Sequence, residues 1–153
     1  MSSVVVLRRL TMSKEQLNFK ITLSGTYWDK KPEYDILLNE TVMAHGFADN
    51  NNVIEFTADL EEDIKHTLCV RLLNKEDSDT VQNEDKTEIV KDMLLNIEQI
   101  YLDDISLGTL KWTHSKYVAN GKTYENCVNL GWNGDWILQF ESPFYIWLLE
   151  NTL

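Results

Sequence analysis

The chain is short of several things. Of its 153 residues, two are cysteine, two proline and six glycine. Cys69 and Cys127 are too few for a disulfide framework and lack the paired spacing of a zinc site. They read as reduced packing residues, with a single bridge between them the lesser alternative. Basic residues are scarce, 14 Lys and Arg against 25 Asp and Glu, for a formal charge of -11. That field opposes a phosphate backbone, so nucleic acid is excluded as a general partner. No apolar run is long enough to span a bilayer as a helix. At the start, Val4 to Leu7 precede Arg8 and Arg9, the reverse of a secretory signal, and no small-residue cleavage site follows. The expectation is therefore no signal peptide and a place in the cytoplasm or on a virion, with Met1 and Met12 both candidate starts.

Catalytic signatures are missing as well. There is no Gly-x-Ser-x-Gly elbow, no P-loop and no dinucleotide fingerprint. His45, His66 and His114 are scattered without ligand spacing. The chain reads as a binding protein rather than an enzyme.

What is present is a series of short strand patterns. Phe19, Ile21 and Leu23 alternate with Asn18, Lys20, Thr22 and Ser24, the period of a half-buried strand. Tyr34 to Leu38, Ile54 to Leu60, Leu68 to Leu73 and Leu94 to Leu102 give four more. Strands at this spacing, separated by Asn, Asp and Gly turns, favour a sandwich or barrel over βαβ units. The stretch 76–92 is instead an acidic surface loop, with a helical turn expected over 87–93, where Ile89, Val90 and Met93 would share a face.

The C-terminal third carries two Asn-Gly pairs, Asn120-Gly121 and Asn133-Gly134, the strongest short hairpin signal. The first predicts Ala119 opposite Lys122, Tyr117 opposite Tyr124 and Lys116 opposite Glu125. The second predicts Trp132 opposite Asp135, Gly131 opposite Trp136 and Leu130 opposite Ile137. Both faces of that second hairpin are then apolar, which calls for a cover. Ser142-Pro143 reads as an N-cap with proline at the first helical position, opening a short apolar helix through Phe144, Trp147 and Leu149.

The run Ile21-Thr22-Leu23-Ser24-Gly25, the strand Ile36 to Asn39, the strand Thr67 to Asn74 with an acidic loop after it, and the strand Asn96 to Ile105 together resemble a known family. It is the calcium-dependent, xylan-binding type of β-sandwich carbohydrate-binding module, and the likeness covers residues 21–107. It implies a glycan ligand and a Ca²⁺ cofactor. That family usually has Asp after the Asn closing the strand that corresponds to Leu68–Leu73; here Lys75 follows Asn74. The aromatic C-terminal part is similar to small proteins of tailed bacteriophages.

The expected fold is all-β, a jelly-roll-like antiparallel β-sandwich with a C-terminal β-meander and a short terminal helix. The expected division is 1–17 as an N-terminal arm or edge strand, 18–107 as the sandwich module, and 108–153 as the meander and helix packed on the same domain. In the binding reading, Tyr27, Trp28, Asp29 and Tyr34 contact the ligand, since exposed aromatic faces serve sugar rings and protein interfaces alike. Asn74, Glu76, Asp77, Asp79 and Asp103 are the oxygen donors for calcium, which prefers several such groups in a flexible loop. In the alternative reading, a structural or adaptor protein of a phage virion, Trp132, Trp136, Phe144, Tyr145 and Trp147 meet a protein partner or a second copy of the chain.

Overall fold

The computed structural model describes residues 13–152. These residues form thirteen strands and two α-helices: β1 (Lys14–Thr26), β2 (Glu33–Leu38), β3 (Thr41–Phe47), β4 (Asn52–Glu61), β5 (Lys65–Leu72), β6 (Val81–Gln82), β7 (Ile89–Lys91), β8 (Leu94–Leu102), β9 (Ile105–Ser106), α1 (Leu110–Thr113), β10 (Ser115–Ala119), β11 (Lys122–Glu125), β12 (Asn129–Leu130), β13 (Gly134–Glu141) and α2 (Phe144–Thr152). One sheet runs β12-β8-β1-β4, with β9 added to β8; the other runs β11-β10-β13-β5-β2-β3. All pairings are antiparallel. The two sheets face each other, so the protein is an all-β sandwich closed by a short C-terminal helix. Residues 14–17, expected in the N-terminal arm, already pair with β4. Residues 1–12, with both candidate starts, lie outside the described residues.

The core follows from alternation. Leu17, Phe19, Ile21 and Leu23 of β1 all point inward, and so do Leu68, Val70 and Leu72 of β5 and Trp136, Leu138 and Phe140 of β13. Phe19 and Phe140 meet across the sandwich at 6.2 Å between ring centroids. Full burial of such side chains contributes about 1.5–3 kcal/mol each.

Three hairpins turn on two residues with positive φ, the geometry that matches strand twist. They are Asn39-Glu40, Asp103-Asp104 and Asn120-Gly121. At Asn120-Gly121 the predicted register is observed pair for pair from Ala119–Lys122 to Lys116–Glu125.

The predicted Asn133-Gly134 hairpin does not form. β12 pairs with β8 in the opposite sheet, and β13 inserts between β10 and β5. A side chain at Gly134 would collide with the Val118 carbonyl of β10. Glycine is needed there for close strand approach, not for a turn. The expected meander is therefore replaced by strands shared between both sheets. Likewise the expected helical turn over 87–93 is β7, paired with β6, and it leaves Ile89 and Val90 exposed while Met93 is buried.

The terminal helix forms, with a different cap. Ser142 Oγ donates to Glu15 Oε1 at 2.6 Å, and the same oxygen accepts from the Phe144 backbone N–H at 2.9 Å. Thus a β1 carboxylate satisfies the helix N-terminus, where negative charge is favoured. Phe144 and Trp147 pack on Phe140 at 6.4 and 6.3 Å. The chain's own end is the lid over this part of the core.

Candidate functional site

One pole of the sandwich gathers the end of β1, the β3–β4 turn, the long connection from β5 to β8, and the entry to β13. Their backbones are stitched together. The Glu33 N–H donates to Asn74 Oδ1 at 2.8 Å, and Asn74 Nδ2 donates to the Lys31 carbonyl at 3.0 Å. The Ala48 N–H donates to the Pro32 carbonyl at 2.8 Å. Asp49 accepts from Tyr27 Oη at 2.7 Å and from Lys31 Nζ at 3.0 Å. Those two donors, Tyr27 before Lys31, hold the Asp49 carboxyl below its ordinary range. The Asp49 hydrogen bond in turn raises the Tyr27 phenol.

Trp28 stands on this pole with 45% of its surface exposed. Its indole N–H donates to the Asp79 carbonyl at 3.0 Å, and Lys91 Nζ lies 4.8 Å from its ring centroid. The ring is thereby fixed in orientation yet accessible. Lys30 beside it contacts Glu76 at 2.6 Å and Asp79 at 3.2 Å. The Glu76 hydrogen bond is the main cause that raises the Lys30 ammonium above its ordinary value. Asp29 is exposed next to Trp28. Tyr27, Trp28 and Asp29 therefore share one surface.

Tyr34 does not join them. Only 4% of it is exposed, on the inner face of β2 with its hydroxyl against Gly46, so it presents no face to a ligand. Two-residue alternation from Ile36 and Leu38 sends it into the core.

The expected calcium donors are not assembled either. Asn74 spends both ends of its amide on backbone groups, as above. Asp79 is buried, its carboxylate accepting from the Glu76 N–H at 2.7 Å and facing Lys30. Glu76 is paired with the same lysine, and Asp77 is exposed in the 3-10 turn Asp77–Asp79. Asp103 sits in a turn at the far end of the nine-residue β8. At about 3.3 Å per residue, that is about 30 Å from the acidic loop; there its carboxylate accepts from the Asn18 N–H at 2.8 Å. Among the described residues no cluster of three or more His, Cys, Asp or Glu side chains has metal-binding geometry. The five expected donors do not assemble into a calcium site.

The predicted partner surface is also redistributed. Trp136 is fully buried in the sandwich core because β13 sits centrally in its sheet and turns this residue inward, and Phe144 and Trp147 form the buried face of α2, packed on Phe140. Trp132 and Tyr145 are exposed.

Two features escaped the sequence. Lys75 is buried and touches Asp92, Met93 and the Trp132 ring. A single lysine in an acidic loop carries no signal of burial. The second is a trough of about 620 Å³ on the outer face of the β8-β1-β4 sheet, lined by Lys20, Thr22, Glu98, Gln99 and Tyr101 among others. The alternation of Asn18, Lys20, Thr22 and Ser24 marked this polar face, and the β1–β8 register shifts between Thr22 and Leu23 beside it.

No family model matches the chain, and no curated protein matches it. Two solved structures share its architecture. The carbohydrate-binding module vCBM60 in complex with galactobiose is 10% identical, with a TM-score of 0.50 over 81% of this chain and 97% of that one. A selenomethionine form of vCBM60, from work that links two families of calcium-dependent carbohydrate-binding modules by circular permutation, is 10% identical with a TM-score of 0.52, over 80% of this chain and 89% of that one. The chain shares the β-sandwich fold of vCBM60. At this identity the likeness is one of fold, and it extends past residue 107 through strands that the sequence resemblance did not reach.

Proposed function

We propose that this protein is a non-catalytic carbohydrate-binding module that takes its glycan at the loop pole. The observation that carries the reading is Trp28: an exposed indole locked by its N–H to the Asp79 carbonyl. A pyranose needs a flat apolar surface for its C–H face, with hydroxyl partners at the edge. Trp28 supplies the surface, while Asp29, Lys30 and Glu76 supply charged donors and acceptors around it. Because the ring is held before ligand arrives, little side-chain freedom is lost on binding. The shared fold with vCBM60 supports the same reading. Calcium is not part of it, because the expected donors do not converge: Asn74, Glu76 and Asp79 are engaged by protein groups, and Asp103 lies at the opposite end of the sandwich.

Oligosaccharide titration with Trp28→Ala tests this reading. Binding should be lost with the thermal midpoint nearly unchanged. Binding that survives Trp28→Ala but fails in Tyr101→Ala would move the site to the trough. The virion-adaptor reading rested on a strand apolar on both faces, and β13 has only its inner face in the core; Asp135, Ile137, Gln139 and Glu141 lie on the other.

A further inference from the structure

Lys75 lies where three segments meet: the exit of β5, the entry to β8 and the entry to β13. Its side chain is 3% exposed. Nζ donates to Asp92 Oδ1 and to the Met93 carbonyl, each at 2.7 Å, and lies 5.8 Å from the Trp132 ring centroid. Its backbone is fixed too: its N–H donates to Asn133 Oδ1 at 2.7 Å, and its carbonyl accepts from Asn133 Nδ2 at 3.0 Å. Asp92 Oδ1 also accepts from Thr80 Oγ1 at 2.7 Å and from the Met93 N–H at 2.8 Å. A carboxylate and a backbone carbonyl converging on one positive centre is chemistry that a hard cation would otherwise exploit. Burial pushes the Asp92 carboxyl upward, but the donors from Lys75, Thr80 and Met93 outweigh it and leave it below its ordinary value.

We propose that the Lys75 ammonium is a built-in cation that clamps the acidic loop to the sandwich, so that the loop pole is organised without calcium. A divalent ion brought to Asp92 and the Met93 carbonyl would face a buried ammonium at hydrogen-bond distance, and like charges in a low-dielectric site repel strongly. The clamp reaches two of the three exposed tryptophans, Trp28 and Trp132. Trp132 lies under Nζ, while Thr80, bonded to Asp92, directly follows Asp79, whose carbonyl holds Trp28. In effect the protein carries its own counter-ion in the chain.

The test needs no glycan, so it stands apart from the carbohydrate reading. Thermal midpoints of the full chain are measured in EDTA and again in millimolar calcium chloride. The wild-type midpoint should be the same in both. Lys75→Met, which keeps the stem and leaves Asp92 buried without its partner, should lower the midpoint by about 10 °C. Adding Asp92→Asn to Lys75→Met should recover part of that loss, because the stranded charge is gone. If Lys75→Met does not fold, Asp92→Asn alone should lower the midpoint by a smaller amount in EDTA. A wild-type midpoint that rises with calcium and falls back with EDTA overturns the proposal. So does a Lys75→Met or Asp92→Asn protein as stable as wild type.

Discussion

At the residue scale, the structure separates aromatic side chains that hold the fold from those that face solvent. Trp136 is fully buried, and its indole N–H has no hydrogen-bond partner among the described residues. Truncating it to alanine should cost about 3–5 kcal/mol, read as a shift in the urea midpoint. Trp136→Phe should cost less, since it removes the unpartnered N–H and leaves a smaller cavity. Trp28→Ala should leave the urea midpoint nearly unchanged, as for an exposed side chain. Tyr117 gives a pH signature. Burial pushes its phenol up to about 12 from 10.0, and it both donates to the Trp132 carbonyl and accepts from the Trp132 N–H at 3.0 Å. A raised folded value means the stabilisation is complete below pH 10 and is lost between pH 10 and about 12. Tyr117→Phe should flatten the fall of stability over that window; an unchanged slope would leave Tyr117 no part in it.

At the element scale, α2 is the lid, and its removal should be visible directly. A chain ending at Ser142 loses Phe144 and Trp147 from above Phe140. It should bind a hydrophobic dye that the full-length protein does not bind. A truncated protein that is dye-negative and equally stable would show that α2 covers nothing of consequence. This is also the scale at which the sequence was most and least legible. Strands β1, β2, β4, β5 and β8 were visible because each has one clean inward face. The Asn120-Gly121 hairpin was visible down to its register because both turn residues suit positive φ. Asn133-Gly134 has the same two residues but a different fate: the Asn133 amide bonds both backbone groups of Lys75, and Gly134 is needed for contact with β10. Strand β3, which follows the Asn39-Glu40 turn, was missed. Glu40 is a poor residue for positive φ, and tertiary pairing with β2 overrides its preference.

At the scale of the whole molecule, the site is an assembly of loops that no local pattern connects. The pairing of Trp28 with the Asp79 carbonyl spans 51 positions, and that of Lys75 with Asn133 spans 58. Sequence reading found Trp28 through the polar loop it sits in, but it joined Asp103 to the wrong end of the sandwich and missed Lys75 as the centre of the pole. The central claim is that this pole binds a glycan through Trp28. The direct measurement is calorimetric titration of wild-type protein and Trp28→Ala, in EDTA, with a panel of neutral oligosaccharides that includes galactobiose. The account predicts saturable heat for wild type with at least one member, and none for Trp28→Ala at an unchanged melting midpoint. No heat with any member, or equal heat from both proteins, would contradict it.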